Sequence, residues 1–320
     1  MELGIIGYRN QAKKLIEIAV KNKKIKKIYV FIYRKNFVKS KVLNSSKIKI
    51  VFNISLIPKI DAVVISSPTS THTKYIKYFT KRKTPIFCEN PAASSRNDIR
   101  YLKRLLSNQN NIYINYNLLF NKSFKILDKI TKNKKYGKIA HIDVKLTNGI
   151  AYKKQFQNNW RFKSRNKFEQ ISVNLGSHYV NFILSLLNSK IISKNITNYN
   201  LKKNNDNCFI YFKTSNNITV NLFFSYSTPF SDEITVYFSN AIIKLVNNKM
   251  RLYFPRDTFD KKGLFISPKG LVIAKYSQNS EYFSSNQKSF NFFLKNIKSR
   301  KNISKYFKNA IKTLEFFYGN

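Results

Sequence analysis

Leu3-Gly4-Ile5-Ile6-Gly7-Tyr8-Arg9-Asn10-Gln11-Ala12 is a short apolar run, a glycine, and the start of an amphipathic pattern. The run closed by Gly7 reads as a strand buried on both faces. Ala12, Leu15, Ile16 and Ala19 then recur at helical spacing, and Glu17 stands one turn from Lys21. A strand that enters a helix through glycine makes an anion site, because main-chain N–H groups and the helix dipole point at the turn. The dinucleotide fingerprint asks for Gly, Gly and then Gly or Ala at its first, third and sixth positions. Gly7 and Ala12 match. Arg9 occupies the middle position and offers a guanidinium to a phosphate oxygen where the fingerprint has no side chain. Gly7, Tyr8, Arg9 and Asn10 are therefore the candidate phosphate-binding turn.

Outward from this stretch, strand-like runs at residues 28–33, 48–52, 62–65, 85–88 and 112–116 alternate with helical patterns at 71–81 and 96–106. Such alternation predicts an α/β fold, an N-terminal Rossmann domain with a doubly wound parallel sheet over residues 1–118. Beyond it the pattern changes. Residues 139–147 alternate with period two, 171–187 read as a long helix, and short strands follow at 209–213, 218–226, 234–238 and 242–246. Helices are expected at 122–131, 285–298 and 303–318. Residues 119–320 are therefore expected to form a C-terminal α+β domain with a large, mainly antiparallel sheet. No internal repeat is visible.

The chain has 320 residues, with 59 Lys+Arg against 15 Asp+Glu and a formal charge of +44. That charge raises nucleic acid or an anionic membrane as a partner. The lysines run from Lys13 to Lys312 without a stripe or tail, and Asn and Ile are over-used with them, as in a genome-wide bias. The expectation is a basic solvated surface with no specific nucleic-acid partner and no membrane partner. Three histidines and two cysteines, Cys88 and Cys208, make neither a metal set nor a disulfide framework. The lack of a long apolar run or signal-like start leads to an expectation of a cytoplasmic protein.

Where an acidic residue would bind the adenosine ribose of NAD, at the end of the second strand, the chain reads Tyr33-Arg34-Lys35. Arg34 and Lys35 would favour the 2′-phosphate of NADP over NAD; they also fit the chain-wide basic bias. Asp61-Ala62-Val63-Val64-Ile65-Ser66-Ser67-Pro68-Thr69-Ser70-Thr71-His72 and Cys88-Glu89-Asn90-Pro91 follow, then Trp160-Arg161 and Asn174-Leu175-Gly176-Ser177-His178-Tyr179-Val180-Asn181. In order and spacing these blocks resemble the Gfo/Idh/MocA family of NAD(P)-dependent oxidoreductases, with its D-x-V-x-I-x-x-P-x-x-x-H, E-K-P, W-R and D-x-G-x-H-x-x-D patterns.

The resemblance implies hydride transfer between a nicotinamide cofactor and a hydroxyl or ketone of a sugar, sugar derivative or nucleotide sugar, by a homo-oligomer in which residues 119–320 serve substrate binding and dimerisation. It puts the nicotinamide half near Pro68, Thr69, His72, Glu89 and Asn90, and the substrate near Trp160, Arg161, Asn174, His178 and Asn181. The family's catalytic lysine falls on Asn90 and its helical aspartate on Asn174, so Asn90, Asn174 and His178 form the expected catalytic set. An amide hydrogen-bonds a hydroxyl but relays no proton, which leaves His178 as the acid/base. A catalytically inactive cofactor- or sugar-binding paralogue is the alternative, and a non-specific polyanion binder a more distant one. Asn174, His178, Asn181 and Ser185 also share one helix face by spacing alone. That polar stripe faces a cavity or polar partner on one reading and water on the other, and Gly176 suggests a close approach.

Overall fold

The computed structural model describes residues 1–33, 41–107, 111–156, 170–203, 205–247, 249–254, 259–275 and 277–318. The chain forms two compact units, one of Met1–Asn117 with Ser285–Asn320 and one of Leu118–Ser284.

In the first unit, β1 (Glu2–Ile6), β2 (Lys27–Phe31), β3 (Ile48–Val51), β4 (Ala62–Ile65), β5 (Ile86–Glu89) and β6 (Ile112–Asn115) make one parallel sheet. Its order is β3-β2-β1-β4-β5-β6. Every residue of β4 and of β6 is buried, the signature of strands covered on both faces. The order reverses between β1 and β4, and doubly wound sheets bind ligands at that switch point, beyond the carboxyl ends of the strands. Helix α1 (Asn10–Lys21) buries Ala12, Leu15, Ile16, Ile18 and Ala19, and Lys21 in its last turn suits the negative end of the dipole. α2 (His72–Lys81) and α3 (Arg96–Ser107) complete the alternation.

The second unit contains α4 (Lys122–Thr131), α5 (Ile171–Asn174), α6 (Gly176–Leu187) and an eight-stranded sheet. Its strands are β7 (Ile139–Thr147), β8 (Ile191–Tyr199), β9 (Asn207–Thr214), β10 (Thr219–Ser225), β11 (Ser231–Phe238), β12 (Ala241–Val246), β13 (Lys249–Tyr253) and β14 (Leu271–Lys275). The order is β14-β13-β12-β11-β7-β10-β9-β8, antiparallel except for the β7–β10 pair. β8, β13 and β14 were not foreseen from the sequence.

Two expectations need correction. The helix expected over 171–187 is interrupted at Leu175, which separates α5 from α6. Just after the break, a side chain on Gly176 would come within 3.2 Å of both Ile210 of β9 and Phe224 of β10. That is the close approach the glycine signalled. The second correction concerns the C-terminus, which was assigned to the second domain. From Ser285 onward, α7 (Gln278–Asn296) belongs with the first unit, as does α8 (Arg300–Tyr318). The cause is an aromatic core: Phe290 and Phe293 meet Phe87 of β5 at 5.7 and 5.6 Å, and Tyr306 meets Tyr113 of β6 at 5.5 Å between ring centroids.

Candidate functional site

The first unit gathers most of the expected cofactor residues along the carboxyl edge of its parallel sheet. Gly7 sits at φ +111°, and its N–H donates to Phe31 O at 3.0 Å, which ties the turn to the end of β2. A side chain there would stand 2.5 Å from Ser66 O, so only glycine passes between β1 and the loop after β4. Arg9 is the N-cap of α1 and makes no side-chain cap bond; the first turn holds no acidic residue. The helix thus turns its positive end to the switch point without a cap from the Arg9 side chain, a geometry that fits a bound pyrophosphate. Arg9 and Asn10 are exposed. Tyr8 lies under the Lys13 ammonium, 4.9 Å from the ring centroid.

Pro68 and Thr69 lie in the turn between β4 and α2, which a bond from Thr71 Oγ1 to Pro68 O (2.7 Å) braces. Behind it His72 is buried between two main-chain carbonyls, with Nδ1 2.8 Å from Pro91 O and Nε2 2.8 Å from Ser67 O. A neutral imidazole donates to one of them and only the imidazolium to both. Burial, the larger influence, holds the His72 pKa below its ordinary value against the pull of the two carbonyls. Thr73 Oγ1 adds a bond to Ala92 O at 3.3 Å, so the start of α2 fastens the loop after β4 to the loop after β5. His72 thus ties the two loops together.

Glu89 ends β5 and turns into a polar network. Its Oε1 accepts from Gln11 Nε2 (3.2 Å) and Asn115 Nδ2 (3.0 Å). Gln11 also donates to Asn286 Oδ1 at 3.0 Å. Ser289 Oγ donates to Asn115 Oδ1 at 2.7 Å and lies 2.7 Å from the Tyr113 hydroxyl. Burial pushes the Glu89 pKa up to about 7, with the two amide bonds and the Lys14 charge opposing it. Sequence reasoning missed Gln11, Asn115, Asn286 and Ser289. Polar residues at the end of the apolar strand Ile112–Asn115 and on the inner face of α7 were the available signal.

In the second unit, His178 and Asn181 lie on α6, and Asn174 ends α5. Asn174 and His178 are half-buried, Asn181 is buried and Ser185 is exposed, so the stripe is covered over most of its length and opens to solvent at Ser185. Burial lowers the His178 pKa to about 4, which keeps its imidazole neutral at pH 7. His141 pairs with Thr219 Oγ1 at 2.7 Å on the sheet, away from this stripe in sequence and element. Trp160, Arg161, Arg34 and Lys35 lie outside the described residues.

A doubly wound sheet with a glycine turn at its switch point, joined in one chain to an α-plus-antiparallel unit, defines the two-unit dinucleotide-dependent oxidoreductase class. Residues 1–117 match the Gfo/Idh/MocA oxidoreductase family with its NAD-binding Rossmann fold, and residues 124–244 match the Gfo/Idh/MocA C-terminal domain. The chain belongs to this family.

Among known proteins, a myo-inositol 2-dehydrogenase of Thermotoga maritima is 29% identical over 82 residues, 25% of this chain and 25% of that protein. The UDP-N-acetylglucosamine 3-dehydrogenase of Acidithiobacillus ferrooxidans superposes with a TM-score of 0.78 at 12% identity, over 99% of this chain and 95% of that one. The myo-inositol 2-dehydrogenase of Lactobacillus plantarum gives 0.78 at 15% identity over the same shares. At these identities the two superpositions show a shared fold.

Proposed function

We propose that the protein transfers hydride between a nicotinamide dinucleotide, NADP in preference to NAD, and a hydroxyl or ketone of a sugar, sugar derivative or nucleotide sugar. The observation that carries this reading is the left-handed Gly7 at the switch point, feeding a helix whose N-cap residue, Arg9, makes no side-chain cap bond. The substrate class follows the similar proteins, a dehydrogenase of myo-inositol and one of UDP-N-acetylglucosamine. Gly7, Tyr8, Arg9 and Asn10 hold the pyrophosphate, and Arg34 is assigned to the ribose from its place in the sequence after the second strand. Pro68, Thr69 and Asn90 border the nicotinamide half, while His72 and Glu89 position the loops that carry them. Trp160, Arg161, Asn174 and Asn181 bind the substrate. Self-association uses the solvent face of the eight-stranded sheet, where Phe209 and Tyr237 stay about two-fifths exposed (39% and 37%).

When bound, the nicotinamide supplies the hydride acceptor or donor. His178, kept neutral by burial, takes the hydroxyl proton at its imidazole as an alcohol is oxidised. Asn90 and Asn174 hydrogen-bond substrate oxygens without exchanging a proton. The test is NADPH binding followed by single-turnover hydride transfer across a panel of inositols, sugars and nucleotide sugars. Binding with no transfer on the whole panel favours the second reading, a binding-only paralogue, whose support is the amide at both Asn90 and Asn174. Asn90→Lys separates the two. It shifts kcat of a working enzyme by about tenfold or more and leaves a binding-only protein silent.

A further inference from the structure

A cleft of about 600 Å³ opens in the first unit beside the end of β2. Phe31, Tyr33, Tyr75 and Tyr78 contribute aromatic wall, and Lys74, Lys77 and Lys81 line it from α2. Phe31 is the residue whose carbonyl receives the Gly7 N–H, so the cleft adjoins the phosphate turn on the β2 side. In a doubly wound sheet the adenosine ribose of a dinucleotide lies at that strand end. Phe31 and Tyr75 meet edge-to-face at 6.1 Å and make a rigid apolar wall of the kind a purine packs on.

The three lysines recur at i, i+3 and i+7, so one face of α2 carries all of them, and all are exposed. The ion pairs found among the described residues, Lys103–Glu315, Lys132–Asp128 and Lys145–Asp143, use none of the three. Lys77 rests over the Tyr101 ring at 4.7 Å and Lys74 over Tyr75 at 5.9 Å. Among the described residues the carboxylate lining the cleft is Asp98, and it is already engaged: its Oδ2 accepts from Ser94 N and Ser94 Oγ, both at 3.0 Å. An aromatic recess rimmed by three cations and one satisfied carboxylate suits an adenosine that carries an extra phosphate. Lys74 and Lys77 sit in the first two turns of α2, at the sheet edge where the turn lies, and Lys81 closes its far end.

We propose that this cleft takes the adenosine half of NADP, with its 2′-phosphate held by Lys74 and Lys77 of α2. The inference rests on the dinucleotide reading of the Gly7 turn and adds the residues that discriminate NADP from NAD. Calorimetric titration of the full chain with adenosine 2′,5′-bisphosphate and with 5′-AMP, near physiological salt, tests it without turnover. The bisphosphate is expected to bind at least tenfold more tightly than AMP. Lys74→Gln/Lys77→Gln should cost it about ten- to a hundredfold while moving AMP less than about twofold.

Lys305→Gln/Lys308→Gln removes the same charge from exposed positions of α8, outside the cleft, and should change neither ligand. Equal losses for both nucleotides, no loss, or an equal effect of the control pair overturns the assignment. Thermal melts of each variant separate misfolding from lost affinity, and single Lys74→Arg and Lys77→Arg variants, which keep the charge, should retain the preference. Failure of the underlying reading looks different, since neither NADPH nor NADH then binds the unaltered protein.

Discussion

Glu89 and His178 show how burial moves two ionisable groups in opposite directions. Glu89 rises from its ordinary value of 4.5 to about 7, so its stabilising contribution is complete below pH 4.5 and is lost as pH rises through 7. The loss is bounded at about 3 kcal/mol and is smaller to the extent that solvent reaches the carboxyl edge. Glu89→Gln keeps the acceptor for Gln11 and Asn115 and removes the titration. In urea unfolding the unaltered protein should lose stability relative to that variant as pH rises from 5 to 7, and the difference should be level by pH 8.

His178 works the other way. Its lowered pKa gives stability that is present above pH 6.5 and lost as pH falls through about 4. The neutral ring is also the form that accepts a proton, so alcohol oxidation should hold down to about pH 4 and fall below it. His178→Ala should lower kcat by about 10²–10⁴-fold. NADPH affinity should stay within about twofold, because the residues proposed to hold the dinucleotide are all in the other unit; a large loss of affinity would move His178 out of the acid/base role.

At the scale of elements, α7 is the piece that makes the first unit whole. Its polar positions Asn286 and Ser289 complete the Glu89 network, and its aromatic positions Phe290 and Phe293 cover β5. Phe290 is fully buried, and truncation to Ala should cost about 3–5 kcal/mol in denaturant unfolding. Phe283, on the same helix and 40% exposed, should cost well under half of that on the same truncation. Comparable costs at the two positions would mean that α7 does not form the cover described.

For the whole molecule, a formal charge of +44 on a folded chain implies a long-range positive potential whatever the chemistry of the site. Binding to nucleic acid should therefore be independent of base sequence and fall steeply and linearly on a log–log plot against salt. Filter binding with unrelated duplexes between 50 and 200 mM salt, roughly the range over which such contacts lose most of their affinity, checks this. A sequence preference that survives the upper end would give the lysines a role beyond solvation. The same scale bears on folding. A chain ending at Asn117 leaves Phe87 and Tyr113 without α7 and α8, so it should expose apolar surface and melt without a cooperative transition.

Local periodicity carried much of this into the sequence. Buried parallel strands such as Ala62–Ile65 are unbroken apolar runs, and the alternation of Ile139–Thr147 reports one packed face, so both sheets and the switch-point glycine were legible. β8, Ile-Ile-Ser-Lys-Asn-Ile-Thr-Asn-Tyr, was not, because an edge strand with no fully buried position has little pattern, and β9 supplies its hydrogen bonds. The Gly7 turn could be read because its demand on φ is met by one residue and its neighbours. The surroundings of Glu89 could not: Gln11, Asn115 and Asn286 come from α1, β6 and α7, up to 275 residues apart along the chain. Backbone conformation and one-face burial are imposed by near neighbours in sequence, whereas the desolvation that sets a pKa and the choice of which sheet a helix covers depend on atoms that only the folded chain brings together.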